Sequence, residues 1–108
     1  MRIDLKPVSI NQAYRGGRRF KTKSYKDYES SLILLIKKYP KTTGKYQINL
    51  KFYFKQFNRC DVSNFIKTTE DIIVKAGLVE DDKYCVKMVI EKFKSDTDYF
   101  EFDIKGVK

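Results

Sequence analysis

Tyr46-Gln47-Ile48-Asn49-Leu50-Lys51-Phe52-Tyr53-Phe54-Lys55 is the stretch whose reading decides the fold. Tyr46, Ile48, Leu50, Phe52 and Phe54 alternate with Gln47, Asn49, Lys51, Tyr53 and Lys55. That is the period of two that strand side chains follow, with one face to bury and one mostly wet. Downstream, Val62, Phe65, Ile66, Thr69, Ile72, Ile73 and Ala76 form one stripe at helical spacing, which predicts a helix over 62–76. Asp61 is then at its N-cap and Gly77 supplies the stop. Lys83 to Lys94 reads as a strand with apolar residues on both faces, and Asp98 to Lys105 as another in which Phe100, Phe102 and Ile104 share a side. The turn Ser95-Asp96-Thr97-Asp98 between them predicts an antiparallel hairpin.

Upstream, Lys41-Thr42-Thr43-Gly44 is a turn. Before it, Tyr25, Tyr28, Leu32, Leu35, Ile36 and Tyr39 predict a first helix from an N-cap at Ser24 to Pro40. Met1 to Lys6 alternates weakly and reads as a short strand stopped by Pro7, followed by a polar, glycine-bearing loop to about Lys23. The order β-α-β-α-β-β predicts a two-layer α+β domain, a mixed sheet carrying two helices.

With 108 residues the chain suits one small domain, residues 1–108, whose high surface-to-volume ratio favours a homodimer. The longest uninterrupted aliphatic run, Leu32 to Ile36, is far short of the roughly 20 residues of a membrane helix, and Met1-Arg2-Ile3-Asp4 has no signal-peptide pattern. The expectation is a cytoplasmic protein with no membrane partner. Cys60 and Cys85, with no histidine, are too few for a zinc site or a disulfide framework. The formal net charge of +9, with aromatic residues interleaved, suits a nucleic-acid binder, because lysine and arginine displace counterions from phosphates. A lysine-rich solvated face accounts for the same composition without any ligand.

Within this basic chain, acid gathers in Arg59-Cys60-Asp61-Val62-Ser63-Asn64-Phe65-Ile66-Lys67-Thr68-Thr69-Glu70-Asp71 and in Glu80-Asp81-Asp82. Ser63, Asn64, Lys67, Glu70 and Asp71 share the polar face of the second helix. Carboxylates clustered near one lysine are what a divalent-metal phosphodiesterase needs, since the metal must be held before an anionic substrate arrives. Each residue has a plainer role open to it. Asp61 is an N-cap, Lys67 with Glu70 or Asp71 a surface pair, and Glu80-Asp81-Asp82 a solvated turn.

Three stretches together resemble the RusA-type Holliday junction resolvases over most of the chain. They are Pro7-Val8-Ser9-Ile10-Asn11-Gln12-Ala13-Tyr14 continuing through Gly17-Arg18-Arg19, then Asp61-Val62-Ser63-Asn64-Phe65-Ile66-Lys67 with Asp71, then Glu80-Asp81-Asp82-Lys83. The resemblance implies a homodimer that cuts four-way DNA junctions by paired symmetric nicks, using Mg²⁺ or Mn²⁺. It implies Asp61 and Asp82 as catalytic metal ligands, Lys67 as the catalytic lysine, and Ser63, Asn64, Asp71 and Asp81 as supporting residues. Ser63 departs from the pattern, standing where many members have a second aspartate. Glu70, seven residues on and about 10 Å along the same helix face, is the favoured replacement ligand, a water bound by Ser63 the other. Asn11, Tyr14, Arg18, Arg19, Lys21 and Lys23 are the expected DNA contacts, and Phe57 and Tyr14 candidate wedges. Two other readings remain open: a branched-DNA-binding module impaired in catalysis by Ser63, and an RNA-binding α+β domain.

Overall fold

The computed structural model describes residues 1–15 and 20–108, so Arg18 and Arg19 lie outside the described residues. Its elements in chain order are β1 (Arg2–Ile3), α1 (Ile10–Ala13), β2 (Tyr14–Arg15), β3 (Phe20–Lys21), α2 (Lys23–Ile36), β4 (Tyr46–Phe54), α3 (Ser63–Lys75), β5 (Cys85–Lys94) and β6 (Tyr99–Gly106). Single 3-10 turns at Phe57–Arg59 and Asp82–Tyr84 precede α3 and β5.

β4 follows its alternation closely: Tyr46, Ile48, Leu50, Phe52 and Phe54 are all buried, and the intervening residues are not. It is a central strand of a mixed four-stranded sheet of order β1-β6-β4-β5. β5 pairs with it in parallel and β6 antiparallel. A parallel pair needs a crossover, and α3 is that crossover. The buried face of β4 meets Tyr25, Leu32 and Ile36 of α2 and Phe65, Ile72 and Ile73 of α3 in one core. At its centre Phe52 lies between Phe54, Phe65 and Phe100, with ring centroids 5.8–6.0 Å apart. Gly77, at φ 82°, ends α3 in the left-handed region that a side chain disfavours.

The expected hairpin of the last two strands does not form, because β5 and β6 lie on opposite sides of β4. The four-residue link straddles the end of β4 instead. Ser95 N–H donates to Phe54 O at 3.0 Å, and Asp98 Oδ1 accepts from Lys55 N–H at 2.7 Å. Strands two positions apart are separated by about 9.6 Å, within reach of four extended residues. The arrangement gives the most apolar strand a neighbour on each edge and leaves β5 at the margin, with Val86 and Val89 exposed.

The N-terminal loop also holds more structure than periodicity shows. Ser9 and Gln12 form a capping box on α1, and β2 pairs with β3 in a two-stranded ribbon. Elements of two to four residues are too short to carry a period. The first long helix is capped by Thr22, whose Oγ1 accepts from Tyr25 N–H at 3.2 Å, and not by Ser24. It ends at Ile36, four residues before Pro40, with Leu35 turned to solvent. Among the described residues no helix is long and apolar enough to cross a membrane.

Phe52→Ala should cost about 3–5 kcal/mol, because the space between four packed strands and helices cannot collapse around it. The measurement is the urea midpoint of unfolding, expected to drop with an unchanged m value.

Candidate active site

α3 carries its polar residues away from the core, and at mid-helix they meet the turn that precedes β5. Lys67 Nζ lies 3.0 Å from Asp71 Oδ1, one helical turn on, and 3.2 Å from Asp82 Oδ2. The hydrogen bonds it donates to Asp71 and then Asp82 push the Lys67 ammonium above its ordinary pKa, so it stays charged. Glu70 is half-buried on the same helix. Burial, and then the charge of Asp82, raise its carboxyl pKa, with Lys67 pulling the other way. Asp81 shapes the turn and does not join the cluster as a bonded partner: its Oδ1 caps Lys83 N–H at 3.0 Å, which lowers its own pKa.

Asp61 sits at the other end of the helix start. Its Oδ1 accepts from Ser63 N–H at 3.2 Å and from Ser63 Oγ at 2.8 Å. The N-cap expected at Asp61 falls instead at Val62, which makes no side-chain cap bond, and Asp61 holds the first helical residue from one position further out. Asn64 and Asn11 line the same groove as Asp61, together with Arg59, Lys55 and Lys6, around a cavity of about 470 Å³. Lys92 holds the approach to it, donating to Phe57 O at 3.0 Å and Cys60 O at 2.9 Å. The structure therefore brings Lys67, Asp71 and Asp82 into contact, with Glu70 within their field, and leaves Asp61 bonded to Ser63. Among the described residues no three acidic or thiol side chains gather closely enough to hold a metal ion by themselves.

Of the expected DNA contacts, Lys23 is exposed at the first residue of α2 and Asn11 is exposed on α1. Tyr14 packs against Tyr25, ring centroids 5.5 Å apart, so part of its ring surface is already covered. One face of Phe57 is taken by the Lys92 ammonium, 4.1 Å from the ring centroid. Lys21 is bound to Glu29 Oε2 at 3.0 Å, and Lys75 to Glu29 Oε1 at 2.7 Å. Glu29, Lys75 and Lys92 were not singled out in the sequence. Glu29 does stand in phase with the apolar stripe Tyr25, Tyr28, Leu32 and Ile36, and Lys92 in phase with Met88 and Ile90, and a charge in an inward phase is a readable signal.

A lysine shared by two carboxylates, beside further lysines on a basic chain, is an arrangement suited to the hydrolysis of an anionic backbone. The family model described as endodeoxyribonuclease RusA matches residues 5–105, and no curated protein matches the chain. The chain belongs to the RusA family of endodeoxyribonucleases, Holliday junction resolvases that act on branched DNA.

Burial raises the Glu29 carboxyl pKa, but the bonds from Lys75 and Lys21 outweigh it and hold it below its ordinary value. Its contribution to stability is thus present above an unfolded value of about 4.3 and is lost as pH falls through the lower folded value. Urea midpoints measured on descending pH should fall more steeply below about pH 4 for the parent than for Glu29→Gln.

Proposed function

We propose that this chain is a Mg²⁺- or Mn²⁺-dependent endonuclease that, as a homodimer, resolves four-way DNA junctions by paired symmetric nicks. The observation that carries the reading is the convergence of Asp71 and Asp82 on the Lys67 ammonium, with the half-buried Glu70 beside them. Magnesium is held by one or two carboxylates, its own waters and substrate phosphate more often than by an all-protein cage. Asp82 and Glu70 are the residues that would hold it; Asp61, the further ligand that the family resemblance implies, is bonded to Ser63 at the helix start. A metal there supplies Lewis acidity and a water of lowered pKa.

The protein's own residues do the rest. Lys67 is held protonated by two acidic partners, which makes it a poor proton donor and a good fixed positive charge. It offsets the negative charge that grows on the phosphate as the bond breaks. Asp71 orients it from one turn along the helix. Asp81 keeps the turn that presents Asp82. Lys23 and Asn11, exposed near the start of α2 and on α1, supply contacts to phosphate that position the strand without reading its sequence.

The hydrogen bond from Ser63 Oγ to Asp61 also favours a second reading, a branched-DNA-binding module, because it occupies one carboxylate and replaces another. A labelled four-way junction incubated with pure protein in Mg²⁺, Mn²⁺ or chelator separates the two. Paired nicks in metal alone support the enzyme; binding without cleavage in either metal supports the module. In the enzyme, Lys67→Ala should slow cleavage by roughly 100- to 1,000-fold with binding nearly unchanged. Asp82→Asn should abolish cleavage and leave binding intact or tighter, since it removes a charge that repels DNA.

The Ser63 departure gives a separate test. Glu70→Gln should cut activity severely and Ser63→Ala little, while Ser63→Asp combined with Glu70→Gln recovers part of the loss by restoring the carboxylate count on one helix face. Parental rates in Glu70→Gln would remove Glu70 from the site. Sedimentation at micromolar concentration should show a dimer.

A further inference from the structure

Next to the Lys67 cluster is a pocket of about 360 Å³ with Asp71, Asp81 and Asp82 on its lining together with Lys21, Glu29 and Lys75. Glu29 has no part in the chemistry at Lys67, yet its side chain is only 11% exposed and each of its oxygens takes an ammonium from a different element. Oε2 receives Lys21 of β3 and Oε1 receives Lys75 of α3. Two long lysines that would repel each other are thereby fixed side by side. Each ammonium has three N–H donors, and among the described residues each makes one hydrogen bond. Two donors on each remain for a ligand; the trio carries a net charge of +1, set against Asp71, Asp81 and Asp82 on the same lining, of which Asp71 and Asp82 are paired with Lys67.

We propose that Glu29 is a positioning residue that holds Lys21 and Lys75 as a two-ammonium clamp for a backbone phosphate of the bound DNA, beside Asp71 and Asp82. The inference rests on the DNA-cleaving reading above. A buried carboxylate on a DNA-facing surface weakens binding by its charge alone, so its presence between two lysines needs a compensating role. Fixing the lysines is that role: the clamp is ordered before DNA arrives and loses less side-chain freedom on binding. A purely structural Glu29, tying β3, α2 and α3 together, predicts an effect on melting and none on DNA contact.

The two accounts differ in what they predict for DNA binding. Affinity for a labelled four-way junction is measured by anisotropy in chelator between about 50 and 200 mM salt. Lys21→Ala and Lys75→Ala should each weaken binding and reduce the slope of log K against log salt by up to about 0.9, the one phosphate they share. Lys75→Arg should keep the slope. Glu29→Gln should bind DNA several-fold more weakly, although it removes a negative charge. If Glu29→Gln keeps the parental circular dichroism and binds as tightly as the parent or tighter, Glu29 does not position the lysines. If Glu29→Gln does not fold, Lys75→Ala decides, its side chain being 54% exposed: a reduced slope supports the clamp and a parental slope overturns it. A parent that neither binds nor cuts the junction removes the DNA reading itself, whereas a parent that binds and cuts while every variant matches it removes the clamp alone.

Discussion

The parallel pairing of β5 with β4 is the constraint from which the site follows, because two parallel neighbours cannot be joined by a tight turn. The chain must leave the end of β4, return along the sheet as α3, and re-enter beside Tyr46. That path lays the polar face of α3 against the turn Asp82–Tyr84 that feeds β5. Immediately after the turn, Tyr46 opposes Cys85 and Gln47 opposes Lys87, so Val86 is an extra residue that bulges the edge strand. The core needs only that Phe65, Ile72 and Ile73 reach the sheet; the meeting of Lys67 with Asp82 is what the same helix then places on its far side.

The ion pairs at that meeting are not there for stability. Lys67, Asp71 and Asp82 are each more than a third exposed, and pairs of that kind contribute little against the entropy of holding the side chains. Their effect is on the field. On a chain of net charge +9, acid at the site would repel phosphate, and a lysine set between two carboxylates cancels part of that repulsion while staying available to the substrate. Lys92 does comparable work from β5, gathering the carbonyls of Phe57 and Cys60 just ahead of Asp61.

The long elements were legible because their period is set by burial on one face. β4 and α3 lie within a residue or two of where the alternation and the stripe put them, and β6 likewise. What periodicity cannot report is which strands are neighbours. Phe100, Phe102 and Ile104 face inward equally well beside β5 or beside β4, and only the three-dimensional competition for both edges of β4 decides it. The acidic and lysine motifs were legible as types at a spacing, and the Lys67–Asp71 pair follows from helical geometry alone. The Lys67–Asp82 contact spans fifteen residues and Glu29–Lys75 forty-six, and such tertiary pairs leave no local trace except a charge in an apolar phase.

Ser63 shows how one substitution changes two properties together. An aspartate there would add charge and, facing Asp61 without a cation, would push that carboxylate away. Serine instead donates through Oγ at 2.8 Å, with its own backbone N–H a second donor at 3.2 Å, and fixes Asp61 at the helix start. Asp61 is thus held by bonds within three residues of itself, while Asp82 is held by a contact across the fold. Lys67 lies a full helical turn beyond Ser63, about 6 Å further along the axis, and Asp61 precedes the helix altogether. The loss of one anionic ligand is therefore felt away from Lys67, and the half-buried Glu70, whose carboxyl is already raised by burial and by Asp82, is the acid on α3 with most to gain from a neighbouring positive charge.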